Sequence, residues 1–155
     1  MDMATRKKLI EQYRDGYRAV TESLAGLSDR DLEARLPGKW SVREIVHHLA
    51  DSEMVAAARL RRIVAEDRPG LRATDMAGYA RRLFYDRPIQ NSLELFRLVR
   101  LSTAEILDRM TELEWAREGV QSDGGRFTVE KWLEIFSQHA HTHAEQIRRT
   151  RAGAK

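Results

Sequence analysis

The stretch from Ser41 to Ala65 reads SVREIVHHLADSEMVAAARLRRIVA. Ser41 with Glu44 three residues later forms the pattern of a capping box. Val42, Ile45, Leu49, Ala56, Leu60 and Ile63 then recur at the spacing of an amphipathic helix, which is expected to run from about Ser41 to Ala65. Before it, the breaker pair Pro37-Gly38 closes a short link, Ser28 to Leu36, with room for one helical turn. Further back, Leu9, Tyr13, Tyr17, Val20, Leu24 and Leu27 mark a first helix that should stop near Gly26. After it, Asp67 to Gln90 holds two prolines and two glycines around Tyr79, Phe84 and Tyr85, the composition of a long cross-connection with one turn of helix. Asn91 with Glu94 offers a second capping box, and Leu93, Phe96, Val99, Thr103, Ile106 and Met110 carry the stripe of a third helix that ends before Trp115. Glu118 to Phe127 contains the turn signal Asp123-Gly124-Gly125, after which Thr128 can cap a fourth helix through about Arg151. Four helices with two long connections predict an all-α four-helix bundle with a crossover.

Composition agrees with that reading. The 155 residues are expected to form a single domain over 1–155, and 42% hydrophobic with 33% charged residues is too apolar for disorder. Nine glycines and three prolines are too few for an all-β chain. There is no cysteine, which excludes disulfides, thiolate metal sites, Fe–S clusters and a cysteine nucleophile. Against a pI near 9.4, the net charge is only +3 and both signs are interspersed, so a nucleic-acid partner is not expected. No stretch is apolar enough for a signal h-region or a membrane span, which predicts a cytoplasmic protein without a membrane partner.

All five histidines fall on the second and fourth predicted helices. With about 100° per residue, His48 lies roughly 80° from the centre of the apolar face of its helix and His47 lies nearly opposite, toward solvent. On the fourth helix His143 falls within about 30° of the apolar centre and His139 within about 70°, while His141 is roughly 130° away. An i, i+4 histidine pair is the helical means of presenting two imidazoles to one metal, and an inward histidine from a neighbouring helix supplies a third. His48, His139 and His143 are the candidate metal ligands. The competing reading of each is an ordinary hydrogen-bonded core histidine. The segment His-Ala-His-Thr-His also lacks the glutamate of a metalloprotease helix, so a protease base is absent.

The run Trp40-Ser41-Val42-Arg43-Glu44-Ile45-Val46-His47-His48-Leu49-Ala50-Asp51-Ser52-Glu53, followed by His139-x-x-x-His143-x-x-Gln146-Ile147, resembles the DinB/YfiT-like family of metal-dependent enzymes. The resemblance spans about Leu9 to Arg149. It implies a four-helix bundle in up-down-down-up order and a divalent metal on three histidines, which map onto His48, His139 and His143. It also implies the chemistry of the family's branches: thiol S-transferases using low-molecular-weight thiols, a thiol-dependent isomerase, and members named as hydrolases.

Three neutral imidazoles leave a coordination position open for activating a water or a substrate thiol. Nitrogen ligation suits zinc or nickel, with iron, manganese or cobalt compatible. The expected function is therefore a divalent-metal-dependent transferase or hydrolase acting on a small molecule. The alternative is a non-catalytic module that binds metal or serves a homodimer. Among other polar residues, Arg59 shares the stripe of His48, Ser52 and Val55 and is expected to pair its head with a carboxylate. Asp75 and Tyr79 are candidates for a pocket mouth, Trp40 and Trp132 for packing, and Glu44 for the cap.

Overall fold

The structure is a computed structural model and describes residues 1–153. Four long helices form the bundle: α1 (Met3–Ser23), α3 (Val42–Ala65), α5 (Gln90–Leu107) and α7 (Val129–Gly153). Three short helices, α2 (Asp29–Glu33), α4 (Met76–Arg82) and α6 (Glu112–Trp115), lie in the connections with strands β1 (Gly70–Leu71), β2 (Glu118–Gln121) and β3 (Arg126–Thr128).

The caps define where the helices begin. Asp2 Oδ1 accepts from Thr5 N at 2.8 Å, and Ser41 and Glu44 form the expected reciprocal box at 3.2 and 2.6 Å. Thr128 Oγ1 accepts from Lys131 N at 3.1 Å. The capping box expected at Asn91 does not form. Helix α5 begins at Gln90 behind Ile89 without a side-chain cap, and Glu94 is held by Arg97 instead. That helix also stops at Leu107, short of Met110. A further box, Thr111 with Glu114, starts the separate α6.

Side-chain contacts give the direction of each helix. Arg6 near the start of α1 meets Glu130 at the start of α7, and Arg151 at the far end of α7 donates to Ser23 O, so these two run parallel. His47 meets Ser92, and Arg61 meets Thr103, so α3 and α5 are parallel as well. Trp132 Nε1 donates to Ala56 O at 2.7 Å while His48 faces His143, which makes α3 and α7 antiparallel. The order is up-down-down-up, and the parallel neighbours α3 and α5 account for the long connection between them: the chain must return the length of the bundle before starting α5.

That return carries α4 and passes through left-handed backbone at Arg68 and Phe84. Its first part pairs with the α6–α7 link in a three-stranded sheet ordered β1-β2-β3, with β1 parallel to β2 (Gly70 opposite Val120) and β2 antiparallel to β3 (Gly119 opposite Phe127). The Asp123-Gly124-Gly125 signal is the turn of that hairpin, where Gly124 takes φ +84°. Strands of two to four residues carry too little alternation to be read from sequence. Tyr13, Leu60, Ile63, Trp132 and Leu133 fill one half of the core, and Val20, Ile45, Leu49, Phe96 and Ile147 the other. Among the described residues, no helix is long and apolar enough to cross a membrane.

Candidate metal centre

The capping box at Ser41 fixes the phase of α3, and His48 lies two turns inside it; Thr128 fixes α7, and His139 and His143 follow on one stripe. The two stripes meet. Ring centroids are 5.6 Å apart for His48 and His139, 4.8 Å for His48 and His143, and 4.6 Å for His139 and His143. One nitrogen of each ring lies within 4.8 Å of the other two. Trp40 packs on His48 at 4.6 Å between centroids, and Phe136 stands edge-on to His139 at 5.7 Å. Both aromatics restrict how the imidazoles can turn.

Burial sets the protonation state. It pushes His48 down to about 4, with His143 adding to the effect, and His139 down to about 3, helped by His143, His48 and Arg100. His143 is lowered by burial too, against its hydrogen bond with Gln146. Near neutral pH His48 and His139 are therefore neutral, the form that donates a lone pair. His143 Nδ1 lies 2.8 Å from Gln146 Oε1, so the proton sits on Nδ1 and Nε2 carries the lone pair. Nδ1 of His48 and of His139 is buried without any hydrogen-bond partner, a cost of about 1–3 kcal/mol for each such group. Converging neutral imidazoles with orphaned nitrogens fit a divalent cation, which would offset that cost.

His48 and His139 also line a cavity of about 400 Å³. Its wall continues along α3 through Ser52, Ala56 and Arg59, across to Phe136 on α7, and over Leu71 to Thr74 and Met76 of the long connection. Gln121 and Ser122, at the β2 end of the hairpin, add polar groups that the sequence reading missed because the short strands flanking the turn were not legible.

Three expectations are corrected. His47 does not face solvent: it is fully buried, with Nδ1 2.8 Å from Ser92 Oγ and Nε2 2.9 Å from Arg87 O. The parallel α5 and the end of the long connection cover the side of α3 opposite the bundle centre, so that side is interior as well. Arg59 meets no carboxylate and donates instead to Arg72 O at 2.6 Å and Thr74 Oγ1 at 3.2 Å. Asp75 and Tyr79 do not line the cavity, and Asp75 caps α4 through Gly78 N at 2.8 Å. His141 stands apart from the cluster as expected, half-buried, with Nε2 3.0 Å from Gln12 O.

A family model described as the DinB superfamily matches residues 12–147. "Putative metal-dependent hydrolase OB0782" of Oceanobacillus iheyensis is 27% identical over 139 residues, covering 89% of this chain and 81% of the relative. "Putative metal-dependent hydrolase GK0616" of Geobacillus kaustophilus is 30% identical over 129 residues, covering 81% and 72%. The solved structure of YfiT from Bacillus subtilis, described as "a probable metal-dependent hydrolase with an unusual four-helix bundle topology", superposes with a TM-score of 0.92. That likeness covers 100% of this chain and 91% of the other at 23% identity, which establishes the shared fold. Because the family model runs through all four bundle helices, from the middle of α1 to the last turns of α7, the chain belongs to the DinB superfamily.

Proposed function

We propose that the protein is a divalent-metal-dependent enzyme acting on a small molecule, with His48, His139 and His143 as the metal ligands and zinc or nickel as the ion. The observation that carries this reading is the convergence of three imidazole nitrogens within 4.8 Å, two of the rings lying in the wall of a 400 Å³ cavity. A divalent ion supplies Lewis acidity, which brings the ionisation of a water or a thiol into the neutral range. The chain does the rest. Burial keeps His48 and His139 unprotonated, and Gln146 holds the proton on His143 Nδ1. Ser52, Gln121 and Ser122 offer hydrogen bonds to a substrate, while Leu71, Phe127 and Phe136 keep bulk water from one side of the cavity.

Hydrolysis is supported by the names of the relatives. Transfer of a low-molecular-weight thiol is the second reading, and it is favoured by the absence of any aspartate or glutamate from the cavity wall. A water nucleophile calls for a proton acceptor, whereas a thiol, with an ordinary pKa of about 8.5, ionises with less help. With no cysteine in the chain, the thiol must come from a cosubstrate.

Metal analysis of purified protein, followed by assays of aryl-ester hydrolysis and of thiol addition to an electrophile, tests both. One equivalent of metal is expected, lost in His143→Ala, with activity lost in His139→Ala and on chelation. Full activity in metal-free protein would overturn the proposal. Metal binding without turnover of either class would leave a binding module.

A further inference from the structure

Arg59 lies on the His48 stripe of α3 eleven residues further on, about 16 Å of helix rise away, and both residues line the same cavity. An arginine in a helix leans toward the helix N-terminus, which for Arg59 is the direction of His48. Its Nη2 donates to Arg72 O and Thr74 Oγ1, so the head is tied to the long connection, and it forms no ion pair among the described residues. Two of the five guanidinium N–H groups are used in this way; Nε–H and the two protons on Nη1 make no hydrogen bond among the described residues.

The wall around it has one sign of charge. It contains two arginines, Arg59 and Arg72, the two imidazoles, and no aspartate or glutamate. The rest of the wall is largely apolar, with Val55, Leu71, Met76, Phe127 and Phe136 beside the smaller polar groups of Ser52, Thr74, Gln121 and Ser122. In a chain carrying 24 acidic residues, a cavity lined by arginine without a single carboxylate leaves the neutralising charge to a ligand.

We infer that the cavity takes a small molecule with an apolar body and a carboxylate, and that Arg59 receives the carboxylate at the end away from the histidine cluster. The inference deepens the proposed function and rests on it for which end of the molecule reacts; the anion-binding role of Arg59 stands without a metal. A guanidinium already held by Arg72 O and Thr74 Oγ1 loses little freedom on taking up a carboxylate, and the bond it forms is charge-assisted.

The test uses metal-free protein and two probes of the same shape, 4-phenylbutyrate and 4-phenylbutyramide, with dissociation constants read by NMR titration. In the wild type the carboxylate is expected to bind roughly tenfold more tightly than the amide. Arg59→Gln should bring the ratio close to one, and Arg59→Lys should keep part of it. Because the ratio is read within each variant, a cavity reshaped by loss of the Arg72 and Thr74 contacts weakens both probes and leaves the ratio as the deciding number. Equal binding of the two probes by the wild type, binding of neither, or an unchanged ratio in Arg59→Gln would overturn the inference. None of these readings involves metal or turnover. A failed ratio therefore leaves the histidine site untouched, and a failed activity assay leaves the ratio untouched.

Discussion

Two of the buried polar clusters in this bundle are finished differently. In the first, Arg100 of α5 donates to Glu53 of α3 at 2.6 Å, and Tyr13 of α1 donates its hydroxyl to the same carboxylate. Arg100 also donates to Tyr13 O at 3.0 Å and to Phe136 O of α7 at 3.4 Å, and its head lies 3.9 Å from the Tyr13 ring centre. All three side chains are at most 1% exposed. Gly16 makes room for the head, since a Cβ there would stand 2.6 Å from Arg100 Nη2. In the second, His48, His139 and His143 converge with equal economy, yet two nitrogens are left without partners and two of the rings face a cavity. A network whose donors and acceptors satisfy one another holds four helices in register and has nothing left to offer a ligand. A cluster left open is available to bind one.

The comparison breaks most decisively at Glu53. Glu53→Ala leaves the Arg100 charge buried and uncompensated, and about 3–5 kcal/mol of stability should be lost in urea denaturation. Replacing both partners together, Glu53→Leu with Arg100→Met, should recover most of that loss. A small effect of Glu53→Ala would mean that water reaches the network, and the contrast with the histidines would fail.

Acid should act on the open cluster next. His48 and His139 titrate at about 4 and about 3 in the folded protein against an ordinary 6.5, so between those values the unfolded chain binds protons that the folded chain does not. Their contribution to stability is therefore complete above about pH 6.5 and is lost as pH falls toward 4 and 3, by up to about 1.4 kcal/mol per pH unit for each group. Metal-free wild type compared at pH 7 and pH 5 should lose more stability than His139→Gln does. Equal losses would mean that these rings are already solvated.

The bundle and the inward phase of the three histidines were legible because long amphipathic periods and i, i+4 spacing are local properties of the chain. The polar network was not. On α5 the stripe read from the sequence shares Phe96 and Thr103 with the buried face, but Ser92 and Arg100 on that face are polar, and an apolar pattern does not pick them out. His47 was misjudged for a related reason: α3 is covered on more than one side, and one hydrophobic direction cannot describe it. The pairing of β1 with β2 joins segments some fifty residues apart, which no window on the sequence contains, and the polar contacts of Arg59 fall in an irregular part of the long connection whose course has no periodic signal.

Gln146 sharpens the comparison, because among the described residues it is the one hydrogen-bond partner the open cluster has. Its carboxamide oxygen selects the tautomer of His143 by accepting from Nδ1. Gln146→Leu removes that acceptor without touching a proposed ligand, and metal affinity should fall about 10- to 100-fold while the metal-free fold loses about 1 kcal/mol for the unpaired Nδ1–H. Competition with a chromophoric chelator reads the first quantity and urea denaturation the second. An unchanged affinity would mean that His143 is oriented by packing alone.

The smallest effects are expected at the two histidines outside the cluster, and they separate position along the chain from position in space. His47 neighbours His48 in sequence, but both its nitrogens are engaged with Ser92 and Arg87, as in the closed network. His47→Ala leaves that hydroxyl and that carbonyl without their partner and should cost about 1–2 kcal/mol, with metal affinity nearly unchanged. His141 lies between two of the proposed ligands, yet it donates to Gln12 O of α1 on another side of α7, half-exposed, and its removal should cost about 0.5–1 kcal/mol. Urea denaturation of both variants beside a chelator competition checks the pair. A fall in metal affinity comparable to that of His143→Ala in either one would show that the ligand set had been drawn too narrowly; stability losses alone would keep both histidines on the closed side of the comparison.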